Sequence, residues 1–134
     1  MNYIELTSEE IVNVVIIDNQ HAAIAEIVNN IHSQHAFQNE QKVSELLKNL
    51  IDELEIHFDT EETMMKENKF PGYITHKLEH DRFYNQILRI FNSYKNDSSV
   101  LDDDKIDRIK NWFFNHIEIN DKKCGMFFNS VGIS

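Results

Sequence analysis

His57-Phe58-Asp59-Thr60-Glu61, followed after one break by His76-Lys77-Leu78-Glu79-His80, decides how this chain folds. Each pair of metal-competent side chains is spaced i, i+4, which sets both members on one face of an α-helix. Both pairs also interrupt longer apolar stripes. Val43, Leu47, Leu50 and Leu54 lead into His57, Glu61 and Met64. Tyr73 leads into His76 and His80, and Phe83, Ile87, Ile90 and Tyr94 continue the row. Two further stripes have the same alternation of threes and fours: Ile17, His21, Ile24, Val28, Ile31 and His35, and then Ile106, Ile109, Phe113 and His116, flanked by Trp112 and Ile119. That alternation is the seam of a helix packed in a bundle.

The punctuation agrees. Asp18 is a candidate cap for the first helix, and Gln38-Asn39 separates it from the second. Pro71 suits the first turn of the third, and Asn96-Asp97-Ser98-Ser99 breaks the pattern before the fourth. Ser99 reads as the cap of that fourth helix, with Asp102, Asp103 and Asp104 at its positive end, and Gly125 reads as a stop. Short links make neighbours antiparallel. The expected fold is all-α, an antiparallel up-down-up-down four-helix bundle with an N-terminal arm. One domain then spans 1–134, with the arm at 1–17, the bundle at 18–121 and a C-terminal segment at 122–134. Val12 to Ile17 is apolar enough to lie against the bundle.

Composition narrows the function. Three Gly and one Pro in 134 residues leave little for the turns of a β fold, and nine Phe can fill a core. A formal net charge of −10 argues against nucleic acid or an anionic membrane surface as partner. One Cys excludes an internal disulfide, and no leader or membrane-length apolar run is evident, so a cytoplasmic protein is expected. Cys124 reads as a small buried side chain and Met64 and Met65 as packing.

In an antiparallel bundle, the start of the first helix, the end of the second, the start of the third and the end of the fourth share one level. Those are the places of His21, of His57 and Glu61, of His76 and His80, and of His116 and Asp121. Imidazoles and carboxylates converging in a buried place are transition-metal ligands, and seven are too many for one ion. A lone core His is more often a hydrogen-bonded packing residue, and a His–Glu pair at i, i+4 is ordinary on a helix surface. Four stripes carrying such residues at one level make those readings hard to sustain together. Asp121 follows His116 by five residues, a turn of ~140° beyond a full circle on an α-helix, so it reaches the site only if the helix ends or loosens there. His35 lies ~21 Å along the axis from His21, and it and His32 read as structural or exposed residues of the far end.

The ordered set His21, His57-x-x-x-Glu61, His76-x-x-x-His80 and His116-x-x-x-x-Asp121 resembles the hemerythrin family signature, in its single-domain bacterial form, the bacteriohemerythrins. Ile17-Asp18-Asn19-Gln20-His21, His57-Phe58-x-x-Glu61-Glu62, Trp112-x-x-Asn115-His116-Ile117 and Asp121-Lys122-Lys123 support it, over residues 17–130. The resemblance implies two non-haem irons bridged by Glu61, Asp121 and an oxo or hydroxo group. His76, His80 and His116 would complete one iron, and His21 and His57 would bind the other, which keeps an open position for O2. Ile24, Phe58, Trp112, Phe113 and Ile117 are candidate walls of an O2 pocket, with core packing as their ordinary role. Asp18 is a candidate outer partner of His21. Family members often carry Leu where Phe113 stands and Tyr where Cys124 stands; Tyr3 is a candidate for the aromatic of the family's N-terminal arm.

Ferritin-like di-iron bundles use about four Glu and two His. Five imidazoles with two carboxylates favour holding O2 over cleaving it. The expectation is therefore an O2-binding protein for carriage, storage or delivery rather than an enzyme, with an oxygen-consuming or reductase partner. An oxygen or redox sensor, a di-iron peroxidase or oxidase, and a structural Zn bundle are the alternatives.

Overall fold

Four stretches of regular helix follow from the four stripes. The computed structural model describes residues 2–134, so Met1 of the expected arm lies outside the described residues. The helices are α1 (Val15–Ala36), α2 (Glu40–Glu67), α3 (Tyr73–Tyr94) and α4 (Asp103–Asn115). A π-helical turn, His116–Asp121, then leads straight into α5 (Lys122–Ser130). Short 3-10 turns at Ser8–Glu10 and Ser98–Val100 precede α1 and α4. No strand occurs among the described residues, and the arrangement is the expected four-helix bundle.

The stripes form the core. Val28, Ile31, Val43, Leu47, Leu50, Leu54, Ile87, Ile106 and Ile109 are buried between the helices, and removing such area from water at about 25 cal/mol per Å² is the main force holding the bundle together. The helices close on short links with Gln38 and Lys69 in the left-handed region, φ 57° and 56°, just past the ends of α1 and α2. Val12, Val14 and Ile17 are buried as the apolar arm required, while Val15 and Ile16 are exposed. Further up the arm, Asn29 clasps the backbone of Ile4 through both its amide atoms. Tyr3 stacks on His32 at 3.8 Å, donates its hydroxyl proton to Asp107 and lies under Lys110. His35 pairs with Asp103 at 3.3 Å. Both far-end histidines are thus structural.

Several local readings change. α1 starts at Val15, so Asp18 is already inside the first turn and does not cap it; its carboxylate accepts from the Val12 backbone N–H at 2.9 Å and ties the arm down. Ser99 belongs to a 3-10 turn capped by Asp97, and α4 is capped by Asp102, which accepts from Lys105 N–H at 2.9 Å. Pro71 stands two residues before α3 begins. Gly125 is not a stop. It lies inside α5, where the helix presses on the arm so closely that a Cβ would stand 2.6 Å from the Val12 carbonyl oxygen. Gly125→Ala is therefore expected to destabilise by about 1–3 kcal/mol, the usual cost of overpacking, read as a lower denaturation midpoint. Unchanged stability would show that the arm yields freely.

Candidate metal centre

The structure brings all seven sequence-predicted ligands to one end of the bundle and buries each of them to 5% exposure or less. α1 supplies His21, α2 His57 and Glu61, α3 His76 and His80, and the π turn His116 and Asp121. The π turn resolves the five-residue spacing. Hydrogen bonds running i→i+5 widen the turn, so residue i+5 comes round much closer to the face of residue i than on an α-helix. Asp121 thus returns to the face of His116 without the helix ending.

All five rings turn Nε2 inward. Asp121 divides its oxygens between two groups: Oδ1 is 3.0 Å from both His76 and His116, while Oδ2 is 2.8 Å from His21 and 3.7 Å from His57. Glu61 Oε1 lies 3.0 Å from His57 and 3.3 Å from His80. The donor atoms form two clusters, each within a 4.8 Å span: Glu61, His76, His80, His116 and Asp121 in one, and His21, His57 and Asp121 in the other.

Outward-facing nitrogens fix the tautomers of His57 and His80. His57 Nδ1 donates to Gln20 Oε1 at 2.8 Å, an orientation set because the Gln20 amide donates in turn to Thr60 at 3.0 Å. His80 Nδ1 donates to Glu62 Oε2 at 3.0 Å, and Lys77 stands 3.5 Å from the other Glu62 oxygen. At His116 the Asn120 amide nitrogen, a donor, faces Nδ1 at 3.3 Å, and the Glu79 carboxylate stands 3.6 Å away. In His57 and His80, where Nδ1 carries the proton, Nε2 presents a bare lone pair to the interior.

The inward-facing donor atoms are the test of fit. His80 and His116 bring their Nε2 atoms to 3.1 Å of each other. Both oxygens of Glu61, Oδ1 of Asp121 and Nε2 of His57 and His76 are buried with no hydrogen-bond partner. Several lie within ion-pair distance yet outside hydrogen-bond geometry, an arrangement that costs roughly 1–3 kcal/mol per buried group unless a cation satisfies it. The titration behaviour has the same origin. Burial, then the neighbouring Asp121 charge, pushes Glu61 well above the usual carboxylate range. Burial also opposes the charge on Asp121, but the facing His116, His21 and His57 rings outweigh it and hold that carboxyl well below its ordinary value. Burial, then the His116 and His76 charges, depresses His80 strongly, leaving a neutral imidazole. Five imidazoles around two carboxylates fit divalent transition-metal cations.

The predicted pocket walls separate. Phe113 is buried and meets the His21 ring edge-on at 5.8 Å. Phe58 stacks on His80 at 3.9 Å, though its ring also comes within 5.7 Å of His57, and Trp112 stacks between His116 at 4.5 Å and Phe83 at 3.7 Å. Those two therefore brace the five-residue cluster. Ile24 and Ile117 are buried in the core. Asp18 is occupied by Val12, and His21 Nδ1 has no hydrogen-bond partner, so the expected Asp18–His21 contact is absent. The roles of Gln20, Thr60, Glu62, Glu79 and Asn120 were not assigned from sequence. Each lies on a helix one turn or less from a ligand, a signal too common on polar helix surfaces to single them out.

Fold and site together define a helical bundle with a buried cation-binding centre. The model of the hemerythrin HHE cation binding domain matches residues 12–125, and the chain belongs to that family. It is 30% identical over 113 residues to a bacteriohemerythrin of Methylococcus capsulatus, spanning 84% of this chain and 86% of the relative. A myohemerythrin of Sipunculus nudus is 32% identical over 77 residues, 58% of each chain. A crystal structure of wild-type hemerythrin superposes with a TM-score of 0.87 at 29% identity, covering 92% of this chain and 96% of that one. No helix of the described residues is long and apolar enough to cross a membrane.

Proposed function

We propose that this chain binds O2 reversibly at a non-haem di-iron centre, for oxygen carriage, storage or delivery. In this reading His76, His80 and His116 hold one iron, His21 and His57 the other, and Glu61 and Asp121 span both. The observation that carries it is the division of Asp121: one oxygen faces His76 and His116, the other His21 and His57. A carboxylate so placed serves two cations at once. The two clusters are also unequal, five residues against three, which supports an open position on the His21/His57 side.

Iron, when bound, supplies the electrons and the vacant coordination position that O2 requires. The chain's own residues do the rest. Gln20 and Glu62 hold the imidazoles of His57 and His80 in the ligating tautomer. Phe113 against His21, with Ile24 and Ile117 buried nearby in sequence, keeps bulk water from that side, which favours release of O2 over its reduction. The low share of carboxylate favours binding over catalysis, and a lone buried thiol, Cys124, suits a reducing cytoplasm. A reductase or oxygen-consuming partner completes the reading.

Adding O2 to the anaerobic, reduced, iron-loaded chain should produce a visible charge-transfer band that fades when O2 is removed. Conversion that does not reverse, or multiple turnover with a reductant, would sink carriage and favour an oxidase. His57→Ala should abolish the reversible band; if it persists, the open position has been placed on the wrong side.

A further inference from the structure

The outer partners of the two clusters differ in charge. His80, in the five-residue cluster, donates from Nδ1 to the Glu62 carboxylate at 3.0 Å. Glu62 is partly buried and anchored on its other oxygen by Lys77 at 3.5 Å. His116, in the same cluster, has the Glu79 carboxylate 3.6 Å from Nδ1, with Asn120 donating to that carboxylate. His57, in the three-residue cluster, donates instead to the neutral amide of Gln20 at 2.8 Å. His21 Nδ1 is buried with no partner. Two nearly equal hydrogen bonds, Glu62 to His80 and Gln20 to His57, thus differ mainly in the charge of the acceptor.

That charge reaches the cation through the ring. A carboxylate accepting from Nδ1–H pulls the proton outward and makes Nε2 a stronger donor, whereas a neutral amide fixes the tautomer with little gain in basicity. We propose that Glu62 is a positioning residue that strengthens His80 as a ligand, and that the neutral Gln20 leaves His57 weaker, so that the outer residues, besides the ligand count, grade the two cation positions into a tight and a weak one. The inference rests on the two-cation reading above and adds a cause for unequal affinity that lies outside the seven ligands.

Gln and Glu are near-isosteric, so the two positions can be exchanged one at a time. The metal-free full-length chain is titrated with Co²⁺, with the visible ligand-field absorption reporting each step. The wild-type chain should fill in two resolved steps. Glu62→Gln should weaken the tighter step by about 10–100-fold, the usual effect of losing an outer partner, and leave the weaker step unchanged. Gln20→Glu should tighten the weaker step, so the double exchange should narrow the gap between them. Helical circular dichroism and the melting temperature of the metal-free variants separate a folding defect from a ligand effect. If Glu62→Gln folds poorly, the Gln20→Glu result alone decides. The proposal is overturned if Glu62→Gln leaves the tight step unmoved or shifts both steps equally, or if Gln20→Glu changes neither. Absence of any Co²⁺ binding by the wild-type chain would overturn the two-cation reading itself, a different failure.

Discussion

Asp121→Ala is expected to reduce retained metal from about two ions per chain to below about one, a larger loss than removing any one of the five histidines. Asp121 alone belongs to both donor clusters, so its removal takes a ligand from each. Losing an outer partner costs about 10–100-fold in affinity; losing a shared anionic ligand should cost more at both positions. Elemental analysis after iron loading and gel filtration measures this directly. His21→Ala is the comparison, because it touches only the three-residue cluster and should leave about one ion in place. The shared role is wrong if Asp121→Ala retains two ions, or if it loses no more than His21→Ala does. Circular dichroism of the metal-free variant confirms that the helical fold still forms.

Asp121 also shows what sequence could and could not reveal. Periodicity set the four stripes and placed His21, His57, Glu61, His76, His80 and His116 at one level, because core spacing and ligand spacing obey the same 3.6-residue period. Asp121 broke that period. The sequence carried the need for a loosened helix but not its form, since π hydrogen bonding is selected by the tertiary demand that both side chains face inward. Gly125 misled for a related reason. A glycine can mark a helix end or a close approach, and only the packed arm of Val12 distinguishes them. Asp18 and Ser99 were themselves plausible caps by position, but α4 is capped by Asp102 and Asp18 is tied to Val12 instead. The contacts of Gln20 and Glu62 join different helices, α1 to α2 and α2 to α3, and no local pattern encodes such a pairing.

Metal loading should raise the melting temperature by at least about 12 °C, and by an amount on the order of 25 °C when both positions fill. The metal-free fold keeps both Glu61 oxygens, Asp121 Oδ1 and two inward imidazole nitrogens buried without hydrogen-bond partners, and it places Glu61 beside Asp121 so that burial and like charge oppose ionisation of Glu61. A cation relieves all of these together, and it binds the folded chain far better than the unfolded one. Free metal at 1,000 times its dissociation constant stabilises by about 4 kcal/mol per site. For a chain of this length each kcal/mol moves the midpoint by about 3–4 °C, so one filled position gives about 12–16 °C and two roughly twice that. Calorimetric scans of the iron-loaded chain with and without a chelator test the expectation under anaerobic conditions. Coincident transitions would mean that the buried donors do not form a metal centre. A rise confined to about half the expected size, unchanged in His21→Ala, would mean that only the five-residue cluster is occupied.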